Sequence, residues 1–321
     1  MLGLLLGACA SAPAGPSSAP ASRPSGLPPG HPPVRARQPP TDPADEGPAL
    51  DAPGPLAERW RRPYTLFDGR TGARLDDADL DRRIAAARVI YAAETHDDPT
   101  HHQVQLELVD RARRLGTVGI GLEMVQRPYQ AALDAYRAGG DEAALVEGTR
   151  WAARWGYDFR LYRPLFRYAF AQDLPLTALN ARKELTQAIA RDGLEALDPA
   201  LAADLPELDL SHVAHRARLR LVWSAHVAPH RGLPFEAFYA AQVTWDETMA
   251  DAVVRTLTAE GAPERLVVLA GSGHVRYHEG IPQRVARRGV APGLSVLPME
   301  RDDALSLIGS GVADVLWVFD R

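Results

Sequence analysis

From Arg88 onward the chain alternates short apolar runs with longer stretches of helical periodicity. Six runs stand out: Arg88 to Ala93 (RVIYAA), Thr117 to Leu122 (TVGIGL), Leu174 to Leu179 (LPLTAL), Leu266 to Ala270 (LVVLA), Leu294 to Leu297 (LSVL) and Val315 to Phe319 (VLWVF). Polar residues do not alternate within them. That is the pattern of strands covered on both faces, so the runs predict a mostly parallel sheet. Helical patterns fill Thr100 to Leu115, Pro128 to Gly139, Asp141 to Trp155, Glu184 to Asp192, Ser211 to Ala228 and Phe235 to Glu260. Strand and helix alternate at both ends, whereas about 181–262 carries helices alone. The expected fold is α/β: a mostly parallel sheet flanked by helices, with a smaller all-helical subdomain inserted before the strand at Leu266.

Polar residues gather where the runs end. Glu94 and His96 follow the first, Glu123 the second, Asn180 the third, and Gly271-Ser272-Gly273-His274 the fourth. Ligands of open parallel sheets bind beyond the carboxyl ends of the strands, so these four ends define one crevice. Two carboxylates delivered there require partners, because an unpaired buried ion costs several kcal/mol. The candidates are His96 and His274, a metal ion, or an arginine such as Arg163. Asp98 suits the N-cap of the following helix and Pro99 its first position, which puts His101 and His102 in the first turn, where the helix dipole disfavours the imidazolium form. The pairs His212/His215 and His226/His230 read as surface or core filler.

Composition changes the picture mainly at the N-terminus. Residues 10–55 hold 14 of the 27 prolines and show no apolar period, which predicts a disordered, partly polyproline tether and a folded part over residues 56–321. Ahead of it, residues 1–9 read MLGLLLGAC and end in Cys9, the single cysteine of the chain. This stretch resembles the lipobox of bacterial lipoprotein signals, with Cys9 as the lipidated residue. Its apolar part is short and lacks basic residues, which predicts a truncated signal with a start upstream of Met1. The expected location is the bacterial cell envelope, lipid-anchored at the outer membrane. A net charge of −5 without a basic, aromatic-rich patch argues against nucleic acid as a partner.

Six segments in order resemble one family: ETHDDPTHH from Glu94, GIGLEM from Gly119, WGYDFRLYRP from Trp155, LNA from Leu179, QVTWDETMA from Gln242 and LAGSGHVRYHEGIP from Leu269. Together they resemble the ChaN-like haem-binding lipoproteins of the Tiki superfamily. One departure is Ala93, where that family usually has glycine. The resemblance implies a haem-binding protein of iron or haem acquisition. It also implies a homodimer sharing haem at its interface, supplied by an outer-membrane haem receptor, with Tyr and His as ligand types. The residues that could serve haem are His96, His274, Tyr277, Arg163, Tyr162, Asn180 and His102, with Tyr277 first. The wider superfamily implies a second possibility, a metal-dependent hydrolase. In that reading Glu94, His96, Glu123 and His274 would hold a divalent ion or act as acid and base on a water. The sequence has no His-Glu-x-x-His zinc signature, and Gly271-x-Gly273 lacks the glycine spacing of a dinucleotide site.

Overall fold

The structure, a computed structural model, describes residues 62–227 and 232–320. Cys9, the tether and His230 lie outside them. Eight strands form one sheet: β1 (Tyr64–Asp68), β2 (Arg74–Leu75), β3 (Val89–Glu94), β4 (Val118–Gln126), β5 (Leu176–Asn180), β6 (Arg265–Gly271), β7 (Gly293–Glu300) and β8 (Val315–Phe319). Their order is β2-β1-β8-β7-β3-β6-β4-β5. All pairings from β8 to β5 are parallel, and β1 runs antiparallel to both β8 and β2. The helices are α1 (Asp77–Ala86), α2 (Pro99–Arg114), α3 (Gln130–Arg137), α4 (Glu142–Gly148), α5 (Trp151–Arg154), α6 (Arg163–Ala171), α7 (Lys183–Asp192), α8 (Pro199–Ala202), α9 (Val213–Val222), α10 (Phe235–Thr258), α11 (Ile281–Arg287) and α12 (Arg301–Ala304).

The sheet is covered on both faces, as the unbroken apolar runs require. In β3, Ile90 and Ala92 point into one core with Val104 and Leu108 of α2, whereas Val89, Tyr91 and Ala93 point into the other with Met249 and Val253 of α10. Each fully buried aliphatic or aromatic side chain contributes roughly 1.5–3 kcal/mol, so these two cores carry the fold. Ala93 sits regularly in β3, in register with Ala270 of β6. The six predicted runs are β3 to β8, with ends displaced by a few residues.

Between β5 and β6 there are only helices among the described residues. The longest, α10, serves two purposes. Its carboxyl half lies on the sheet through Trp245, Met249 and Val253, and its amino half packs Phe235, Phe238 and Tyr239 against Val227, Trp223 and Leu219. This arrangement holds α9 at the carboxyl end of the sheet.

Three features depart from the expected pattern. Strands β1 and β2 were not foreseen, because five and two residues in an antiparallel edge leave too little periodicity to read. The helix expected over Asp141 to Trp155 is two pieces, broken where Arg150 takes a left-handed φ of 52° after Gly148 and Thr149. The helix expected over Ser211 to Ala228 ends at Val222 and continues as a wider π-helical turn, Trp223–Val227. No helix of the described residues is long and apolar enough to cross a membrane.

Candidate functional site

The neighbours β3, β6 and β4 bring the polar strand ends together. Glu94, the last residue of β3, is 1% exposed. Its Oε1 lies 2.6 Å from His96 Nδ1 and accepts from the Tyr162 hydroxyl at 2.9 Å. Its Oε2 accepts from the Gln105 amide at 2.8 Å and lies 3.0 Å from His102 Nδ1. Four groups thus satisfy one buried carboxylate, as a charge in that position requires. Burial alone would raise the Glu94 carboxyl, but His102 and His96 hold it well below the usual range. Burial opposes protonation of both imidazoles, and the Glu94 carboxylate raises them despite it.

Across β6 stands a second acid–base pair. Glu123 of β4 accepts the Gly271 backbone N–H at 2.6 Å through Oε2, and its Oε1 lies 3.4 Å from His274 Nε2. His274 Nδ1 meets Asp246 Oδ1 of α10 at 2.6 Å. Against the pull of burial, Glu123 and Asp246 raise His274 to about 10. Asp246 is in turn held low by His274 and Arg284, although burial would raise it. The chain of groups ends at His215 of α9, whose Nε2 lies 3.6 Å from Asp246 Oδ2 and whose Nδ1 faces Arg284 Nη2 at 3.3 Å. Burial lowers His215 to about 4, so it is neutral and can accept from the guanidinium.

Two glycines make this packing feasible. A Cβ at residue 271 would stand 2.7 Å from His96 Cε1 and 2.9 Å from its Nε2, so a side chain there would displace the imidazole. At Gly280 a Cβ would overlap the His274 backbone carbonyl. Between them, Tyr277 and His278 both take left-handed φ values, 57° and 62°. Such strain persists only where surroundings impose it. Here the Tyr277 N–H donates to Val312 O at 2.7 Å, and His278 Nε2 lies 3.0 Å from both Asp314 and Ser295 side-chain oxygens.

The candidates from the sequence therefore separate into two groups. Glu94, His96, His102, Tyr162, Glu123 and His274 meet in the crevice, and Asn180 braces it by donating to the Glu123 carbonyl at 2.8 Å. Arg163 instead bonds Glu142 at 2.6 Å, away from the crevice. Tyr277 lies on the strained turn with the Arg218 guanidinium 3.5 Å over its ring. His102, expected in the first helical turn with its imidazolium form disfavoured, joins Glu94, and that carboxylate overrides the helix dipole. His101 follows the expected direction, lowered by burial, and accepts the Thr95 N–H at 2.9 Å. Asp246 and His215 were missed as members. Asp246 stood only within the segment QVTWDETMA, and His215 read as surface or core filler.

The crevice does not fit haem. An axial ligand needs a free ring atom and a porphyrin-sized apolar face beside it. His96 has one nitrogen on Glu94 and the other against Gly271, both His274 nitrogens face carboxylates, and the Tyr162 hydroxyl is held by Glu94. Among the described residues no three of the His, Cys, Asp and Glu side chains converge as a metal cage. What the arrangement can do is hold and pass protons along alternating carboxylates and imidazoles, beside the edge of Trp155 at 4.7 Å and Tyr157 at 5.0 Å from His96.

These features define an α/β protein with a buried acid–base crevice at the carboxyl ends of parallel strands. The chain belongs to the family described as haem-binding uptake, Tiki superfamily, ChaN, which matches residues 80–285. Its fold is similar to a solved structure of ChaN of Campylobacter jejuni, described as binding haem cofacially. That match has a TM-score of 0.64 at 17% identity and covers 80% of this chain and 97% of that one. More distant are the type III effector HopBA1 (TM-score 0.42, 15% identity, 75% of this chain and 91% of that one) and the erythromycin esterase EreC (0.41, 14%, 74% and 77%). No curated protein sequence matches significantly.

Proposed function

We propose that the chain is a haem-binding lipoprotein of the bacterial cell envelope that serves iron or haem acquisition. In this reading Cys9 carries the lipid, residues 10–55 tether the folded part to the outer membrane, and a homodimer shares haem received from an outer-membrane receptor. The observation that carries it is the family match over residues 80–285, which spans both the crevice and the helices beyond it. Haem would bring an iron with open axial positions and a flat apolar surface. Titration of the full chain with haemin should give a saturable Soret band, and absence of saturation would remove the proposal. Replacing Cys9 by Ser should release the protein from the membrane fraction, and retention there would count against the anchor.

The crevice favours a second reading. Glu94 with His96, and Glu123 with His274, are paired acids and bases of the kind that activate water, so hydrolysis by acid–base chemistry has a physical basis. Turnover of an ester or amide panel by the wild type but not by Glu94→Gln would support it. Equal rates in both would end it.

A further inference from the structure

Arginines that leave the solvent in this chain are met by acceptors. Arg111 reaches Glu107, Asp77 and Asp81, and Arg284 reaches Glu247 and the Glu279 carbonyl. Arg276 is the exception. Among the described residues it is the one arginine that is not exposed and whose guanidinium has neither a hydrogen bond nor an ion pair. Its Nε is enclosed without an acceptor. Burial pulls the group below the usual guanidinium range, and the opposing charge of Asp303 on α12 stays beyond ion-pair distance. A guanidinium nevertheless remains charged, so this partly desolvated cation lacks the partner that such a charge requires.

The place of this cation in the fold is where a ligand would meet it. Arg276 follows His274 by two residues, a span of at most about 7 Å, so its backbone stands beside the crevice beyond the carboxyl end of β6. Open parallel sheets take their ligands at that end. The strained turn of Tyr277 and His278 comes next, and its bonds to Val312, Asp314 and Ser295 fix it on the sheet. Three residues before Arg276, exposed Gly273 has open space where a side chain would stand. A planar fork of N–H donors suits the paired oxygens of a carboxylate or a phosphate, whereas a neutral or cationic ligand would leave the charge unmet. We propose that Arg276 is an oxyanion-binding residue, which takes the carboxylate or phosphate group of a small ligand beside His274. The assignment is independent of the haem reading above.

The test is nitrogen-15 NMR of the full chain, titrated with sodium phosphate, sodium acetate or sodium chloride at matched ionic strength. The enclosed Nε–H of Arg276 reports directly, assigned by its disappearance in Arg276→Gln, and the backbone amide of Gly273 reports in the variants. Wild type should shift saturably with phosphate, with acetate or with both, and not with chloride. A response to phosphate alone or acetate alone upholds the site and narrows its ligand to that class. Arg276→Gln should weaken the titration at least about tenfold, the scale of a lost charge-assisted hydrogen bond, and Arg276→Lys, which keeps the charge without the fork, should fall between. Arg191→Gln is the control, since that side chain is 72% exposed on α7, and it should titrate as wild type does. Far-ultraviolet circular dichroism checks folding. Where Arg276→Gln fails to fold, Arg276→Lys decides alone: weaker binding upholds the assignment and equal binding overturns it. The proposal also falls if neither oxyanion saturates, if chloride acts equally, or if Arg276→Gln binds as wild type does. It falls too if Asp303→Asn, without any probe, moves the Nε signal as far as saturation does, because the counter-ion is then internal.

Discussion

The carboxyl ends of β3, β4 and β6 and the outward face of α9 both gather imidazoles and charges, but they treat them in opposite ways. In the crevice each imidazole is enclosed, and a carboxylate within about 3.5 Å sets its protonation: Glu94 for His96 and His102, Glu123 and Asp246 for His274. On the π-helical turn that follows α9 the side chain of His226 is exposed. The contrast teaches that burial beside an opposite charge, and not residue type, decides whether a histidine is tied into the structure.

The comparison can be broken most forcefully at Glu94. Truncating one partner of a buried charge network strands the others, so Glu94→Ala should lower the unfolding free energy by about 3–5 kcal/mol in a urea titration. A loss below about 1 kcal/mol would show that the crevice is wetter than its geometry implies.

The pH dependence should come next. His274 is raised to about 10, so its contribution is complete below the unfolded value of 6.5 and is lost as pH rises from there towards 10. His215 is lowered to about 4, so the unfolded chain takes up the proton first and stability falls as pH drops from 6.5 towards 4. Glu94 and Asp246, both lowered, add to the acid-side loss below their unfolded values. The urea midpoint should therefore peak near pH 6.5, and His274→Gln should flatten its alkaline limb. An unchanged alkaline limb in that variant would contradict the pairing.

A smaller effect is expected from Gly271→Ala, where the added methyl must push His96 aside. Overpacking of this kind costs roughly 1–3 kcal/mol, and the loss should be accompanied by a changed His96 resonance in NMR. Smallest of all, Leu221→Glu on α9 should change the unfolding free energy by less than about 0.5 kcal/mol, since the side chain is already solvated. A larger loss would mean that this face is covered in solution.

Much of the sheet was legible because a strand buried on both faces needs an unbroken apolar run, and each of β3 to β8 has one. The meeting of Glu94, His96, Glu123 and His274 was also legible, because parallel strands deliver their carboxyl ends to one side. Asp246 was not, since its 24-residue helix is buried along much of its length and gives no local sign of which side chain will reach a strand end. His215 was hidden for the converse reason. It is the one buried residue of a largely exposed helix, and no period singles it out. The edge strand β1 escaped because its pairing with β8 joins residues more than 240 positions apart.

That same imidazole has a mechanical consequence. His215 is the one fully buried residue of α9, and it ends against Asp246, the far member of the buried chain. The helix thus meets the buried chain through a neutral ring, beside the packing of Leu219 and the Arg218–Glu279 ion pair. A displacement of the helix therefore moves a group that Asp246 faces at 3.6 Å. The surface and the crevice, so different in chemistry, thus meet at one imidazole.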